Sequence, residues 1–216
     1  MKPAEIDAKG AGRESPVGVC AVAAGIATTI LLSLAACAGG GSGVVYSSDF
    51  TAGYDPRSLG AAMSRAPLLV ETYGNPAPGQ ATENVARASA QALRQHGPSW
   101  LPRNYTDSAV DAANGPYRLR IAYGLPKAFN RQEMCGAEMG PAAIEAARRD
   151  GDAPTGRTLA SLCRGQTMIG IAEGAPNVTG TDSTAFAEFV GRLGRSAMPR
   201  RNPVMDDDCM FRRCDD

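Results

Sequence analysis

Apolar and polar positions change rhythm several times along this chain, and each change marks an element. Residues 17–37 form an uncharged run that ends at a cysteine and gives way to Ala38, three glycines, Ser42 and Gly43. Residues 44–46, Val-Val-Tyr, suit a short edge strand, while residues 49–60 carry turn chemistry. Residues 67–73 are apolar, β-branched and aromatic, which predicts a strand, and Gly74, Asn75, Pro76, Pro78 and Gly79 close it. No proline or glycine interrupts residues 80–95, where Val85, Ala88, Ala92 and Leu93 recur at helical spacing. Gly97 and Pro98 end that helix.

Residues 99–116 read as a long loop around the single tryptophan, Trp100, expected as a lid over the core or an anchor for a partner. The clearest strand follows: Tyr117, Leu119, Ile121 and Tyr123 alternate with Arg118 and Arg120, which predicts one buried face and one wet face. Residues 142–149, after Pro141, suit a short helix. Residues 158–163 and 166–173 are strand-like and separated by Arg164-Gly165, a hairpin spacing. Asp182 and Ser183 then offer a helix N-cap, and Phe186, Phe189, Val190 and Leu193 form a stripe that stops near Met198, before Pro199.

The predicted order is strand, helix, strand, strand, strand, helix. One half-polar sheet and two amphipathic helices pack most economically with both helices on the same face. The expected fold is α+β, a two-layer sandwich of about four mainly antiparallel strands. Its expected division is 1–36 leader, 37–64 flexible tether and linker, 65–199 single domain and 200–216 polar, disordered tail.

Composition narrows the function classes. The chain has 216 residues, with 22 basic against 22 acidic side chains. Lys2, Lys9 and Arg13 balance Glu5, Asp7 and Glu14 in the leader, so the remainder is neutral too. Nothing in that balance argues for nucleic acid.

The run over 17–37 is about as long as a bilayer-spanning helix requires, so an uncleaved single-span anchor is one reading. Its end points elsewhere. Leu34-Ala35-Ala36-Cys37 resembles the lipobox that closes the signal peptides of bacterial lipoproteins. The resemblance implies cleavage before Cys37, lipidation of its thiol and acylation of the new amino terminus. Two or more acyl chains hold a protein stably on a membrane. Ala38, rather than an aspartate, resembles sorting to the outer membrane, so the expected location is the bacterial cell envelope on the periplasmic side. The membrane is then the first partner, with room for an envelope protein as a second. The body resembles small α+β envelope lipoproteins of uncharacterised families in architecture alone, a resemblance that transfers no site residues.

Export also makes the other cysteines legible. Cys20 lies within the leader, and Cys135, Cys163, Cys209 and Cys214 remain, an even number that reads as disulfides with three pairings. The expected pairs are Cys135–Cys163, tying the long loop to the hairpin, and Cys209–Cys214 within the tail. The first closes a loop worth about 3.6 kcal/mol of chain entropy. No Cys-x-x-Cys is present to suggest redox or metal chemistry.

Catalytic chemistry is poorly supplied. The one histidine, His96, sits in the last turn of a helix, where it complements the dipole. A His-Glu-x-x-His site and a phosphate-binding Gly-x-x-x-x-Gly-Lys loop are both missing. No catalytic residue, metal ligand or cofactor is expected. The expected function is a membrane-tethered, non-enzymatic binding or accessory domain. The alternative is an envelope hydrolase built on carboxylates such as Glu71, Glu133 or Glu173.

Overall fold

The computed structural model describes residues 41–76, 82–140, 142–143, 146 and 156–205. The chain divides into two units, residues 1–39 and 40–216, and the architecture below is that of the second. Its elements run β1 (Gly43–Phe50), α1 (Pro56–Met63), β2 (Leu68–Tyr73), α2 (Thr82–His96), β3 (Tyr105–Thr106), β4 (Tyr117–Leu125), a 3-10 turn (Arg131–Cys135), β5 (Arg157–Arg164), β6 (Thr167–Pro176) and α3 (Thr184–Ala197). Among the described residues, six strands form one sheet in the order β1-β6-β5-β4-β2-β3.

The α+β class is the expected one, but the sheet is larger and mixed rather than four-stranded and mainly antiparallel. β1, β6, β5 and β4 are antiparallel neighbours. β2 runs parallel to both β4 and β3. The cause is the connection: β2 and β4 are joined through α2, and a helical crossover brings the second strand back in the same direction as the first. The β5–β6 hairpin turns at Gly165, which adopts φ +61°, a conformation natural to glycine.

The stretch expected as linker up to residue 64 is folded from Gly43 onward. β1 is an eight-residue edge strand paired with β6 along its length, with a bulge between Val45 and Ser47. Its exposed Ser48 and Asp49 obscure it in the sequence, because an edge strand buries little side-chain surface. α1 is too short to show a repeating stripe. Its start is nevertheless explicit: Asp55 accepts from the Arg57 N–H at 3.0 Å and Pro56 follows. It buries Leu59, Ala62 and Met63. At the other end, Asn202 is buried and its amide donates to the carbonyls of Thr51 and Tyr54, so the domain runs past residue 199. Residues 206–216 lie outside the described residues.

All three described helices feed one core with Leu68, Val70, Leu119, Ile121, Tyr123 and Leu162 of the sheet. Trp100 packs against this core and its indole N–H donates to the Met198 carbonyl at 3.2 Å, so it closes the core as a lid. α2 and α3 approach closely at Gly191. A Cβ there would lie 2.4 Å from the Cβ of His96 and 2.6 Å from its carbonyl oxygen. Gly191→Ala is therefore expected to destabilise the domain by about 1–3 kcal/mol through overpacking, although alanine is the better helix former by about 1 kcal/mol. Urea denaturation of the two proteins checks this, and a gain in stability would contradict the packing described.

Candidate functional site

The alternation in β4 predicts that the face carrying Arg118 and Arg120 is wet. Arg118 is half-exposed, but Arg120 is buried. Residues 126–140 lie over that face, and Phe129, Met134 and Met139 form a second apolar cluster with Tyr73, Ala122, Leu125, Leu159 and Ile171. Apart from the 3-10 turn this covering segment is irregular, so several of its carbonyls need donors that no helix or strand supplies.

Two buried arginines supply them. Arg120 on β4 donates Nη1 to the carbonyls of Met134 (3.1 Å) and Gly136 (2.9 Å), while its Nε donates to Glu71 Oε2 at 2.5 Å. Arg157 on β5 donates Nη1 to the carbonyls of Pro126 (2.9 Å), Lys127 (3.0 Å) and Phe129 (3.4 Å). Its Nε and Nη2 grip Glu173 on β6 in a fork, at 2.7 and 3.2 Å. Each guanidinium thus neutralises a carboxylate on a neighbouring strand while its Nη1 donates to the covering segment, and Arg157 grips its carboxylate bidentately, a use to which arginine is suited and lysine is not. A buried disulfide between Cys135 and Cys163, with Cα atoms 5.6 Å apart, ties the same segment to β5.

Glu173 is the most heavily engaged carboxylate. Besides Arg157 it accepts from the Tyr46 hydroxyl at 3.0 Å and pairs with Arg131 at 2.6 Å. Burial pushes its carboxyl pKa up, but hydrogen bonds from Arg157 and Tyr46 and the charges of Arg157 and Arg131 prevail, leaving it below the ordinary value. The Tyr46 phenol moves the other way, raised by burial and by its bond to that carboxylate. Glu71 is held by Arg120 and, at 3.6 Å, by Arg118. Burial and the neighbouring Glu71 push Tyr73 up to about 12.

Beside Glu173 opens a cavity of about 420 Å3, lined by Tyr46, Lys127, Arg131, Arg157 and Glu173. A second, more apolar cavity of about 350 Å3 lies along the covering segment, with Phe129, Glu133 and Met139 in its wall.

The expected site residues fall as follows. Cys135 and Cys163 form the expected disulfide. Leu34, Ala35, Ala36 and Cys37 lie outside the described residues, as do Cys209 and Cys214. Glu71 and Glu173 are on the same face but three strand spacings apart, about 14 Å. Glu133 accepts from the Asn130 amide at 3.2 Å in the 3-10 turn. Nothing in the sequence marks Arg157 or Tyr46 as site residues, and the alternation of β4 alone would put Arg120 in solvent. The glutamate that sits in the strand beside each arginine becomes visible only with the sheet order. No protein-family model, curated protein or solved structure matches the chain.

Arg157→Met should cost about 3 kcal/mol, because it takes the fork from Glu173, which keeps only Arg131 and Tyr46, and removes the donor to the Lys127 and Phe129 carbonyls. Arg118→Gln, on a half-exposed side chain, should cost less than about 1 kcal/mol; equal effects in urea denaturation would contradict the distinction. The pH dependence follows from Glu173. Its pKa is lower in the folded than in the unfolded protein, so its ionisation stabilises fully above the unfolded value and that contribution is lost as pH falls through the folded one. Denaturation midpoints should therefore drop below the ordinary glutamate value of about 4.5, and less steeply in Glu173→Gln.

Proposed function

We propose that this chain is a membrane-tethered lipoprotein of the bacterial envelope whose domain is a non-enzymatic binding or accessory module. The observation that carries the reading is Leu34-Ala35-Ala36-Cys37 standing so close to a folded domain. Lipidated Cys37 would lie six residues before Gly43, the first residue of β1, a reach of at most about 20 Å. Arg192 of α3 donates to Ser42 Oγ and, at 2.7 Å, to the Gly43 carbonyl, which shortens the free tether further. The domain would stand close to the bilayer surface rather than range over it. Among the described residues no helix is long and apolar enough to cross a membrane.

The site chemistry favours binding over hydrolysis. Glycoside hydrolysis uses carboxylates about 5–10 Å apart, whereas Glu71 and Glu173 are separated by two intervening strands and each is committed to a buried arginine. A carboxylate held in that way has its oxygens committed to fixed donors and is poorly placed to act as a general acid.

Processing tests the anchor. Expressed in a diderm bacterium, the wild-type protein should fractionate with membranes and show an intact mass corresponding to a chain that begins at an acylated Cys37. Cys37→Ser should abolish both. A Cys37→Ser protein that is still cleaved and membrane-bound would refute the lipoprotein reading. A full-length N-terminus in the wild type would favour an uncleaved anchor.

A further inference from the structure

We infer that the cavity beside Glu173 binds a phosphate monoester. This deepens the binding-module reading by naming its ligand class, and it rests on that reading only for the idea that the domain binds something; the anchor is tested separately at Cys37. Among the described residues, the cavity sets three cations, Lys127, Arg131 and Arg157, against one carboxylate, Glu173, an excess of two positive charges. A phosphate monoester carries about −1.5 to −2 at neutral pH and offers three strong acceptor oxygens, so it matches that excess. A carboxylate would cancel only half of it.

The parts are held in place before any ligand arrives. Arg157 commits its Nε, its Nη1 and one Nη2 hydrogen to Glu173 and three carbonyls, so its contribution to a ligand is chiefly the field of its charge. Glu173 is saturated in turn, with Arg157, Tyr46 and Arg131 on its two oxygens, and it anchors the other groups instead of competing with a ligand for them. Arg131 is fixed through Nη2 at 2.6 Å, yet its side chain remains 41 % exposed. The Lys127 backbone is fixed by the bond from Arg157 to its carbonyl, while the residue is exposed and lines the cavity, which puts its ammonium within reach of a ligand there. Clamping the covering segment accounts for Arg157 and for one nitrogen of Arg131. It does not account for Lys127 or for the rest of the Arg131 guanidinium, and these are the groups positioned to donate to a phosphate. Tyr46 completes the site: its hydroxyl is tied to Glu173 while the residue stays 54 % exposed, giving a flat wall for the organic part of the ligand. A site whose side chains are already ordered loses little entropy on binding.

Phosphate monoesters reach such a site either as free solutes or as lipid headgroups. The experiment is a 1H–15N NMR titration of the full chain with inorganic phosphate, phenyl phosphate, short-chain dihexanoylphosphatidic acid and, as a monoanion, benzoate. Saturable shifts are expected around Tyr46, Lys127, Arg131 and Glu173, with phenyl phosphate binding more tightly than inorganic phosphate and benzoate weaker by roughly tenfold. Tighter binding of the phosphatidic acid than of phenyl phosphate identifies a headgroup; the reverse order identifies a soluble ester. Lys127→Gln and Arg131→Gln should each weaken phenyl phosphate by about tenfold, the loss of one charge-assisted hydrogen bond, and the exposed Arg200→Gln should leave it unchanged. Lys127→Gln retains the backbone carbonyl that Arg157 holds, so it stays informative if Arg131→Gln disturbs the fold. The inference is overturned if no phosphate gives saturable shifts at these residues, if binding survives Lys127→Gln unchanged, or if benzoate equals phenyl phosphate.

Discussion

Two buried guanidinium groups hold this domain together in a way no apolar contact could. Arg120 and Arg157 rise from the sheet face opposite the helices, and each pairs with a carboxylate on a neighbouring strand. Between them they donate to five carbonyls of residues 126–136. Buried ion pairs often gain little over apolar replacements of the same volume. Here the arginines also satisfy the backbone of an irregular segment, a task that a methionine or leucine could not perform.

That constraint shapes everything on its side of the sheet. The helical face is closed by α1, α2 and α3 around an apolar core, where Gly191 lets two helices touch. The opposite face is closed by a segment with little regular structure, so its closure is polar at the arginines, apolar at Phe129, Met134 and Met139, and covalent at Cys135–Cys163. The cavity beside Glu173 follows from the same arrangement. The clamp gathers positive charge around one carboxylate, and Lys127 and Arg131 add more than the clamp consumes.

What the sequence disclosed depended on whether an element carries its own period. α3 was legible from Ser183 and from Phe186, Phe189, Val190 and Leu193, and Ser183 does cap it, accepting from the Phe186 N–H at 3.2 Å. β4 and the β5–β6 hairpin were legible from alternation and from Gly165. β1 and α1 were not, the first because an edge strand tolerates Ser48 and Asp49, the second because eight residues hold too few turns to repeat. The parallel pairing of β2 with β4 was obscured because β4's alternation looks like that of an antiparallel strand with one solvated face. Of the site, Cys135–Cys163 was legible from the even cysteine count and the loop it closes. The clamp was not, because an arginine alternating with apolar residues, as Arg120 does, has the same pattern whether it meets water or the carbonyls of a covering segment. Phe129, Met134 and Met139 carry no period that would have marked residues 126–140 as a cover.

Hydrogen exchange in the covering segment tests this account most directly. The amides of Phe129, Glu133, Gly136 and Met139 all donate within the segment, to Pro126, Asn130, Glu133 and Gly136, and they report its local opening. With the disulfide intact, Arg157→Met and Arg120→Met should each speed exchange at these amides by at least roughly tenfold, since the first removes the arginine donor to the Lys127 and Phe129 carbonyls and the second the one to Met134. Protection unchanged in both variants, and lost only when Cys135–Cys163 is reduced, would show that the covalent link closes this face and would contradict the role given to the arginines.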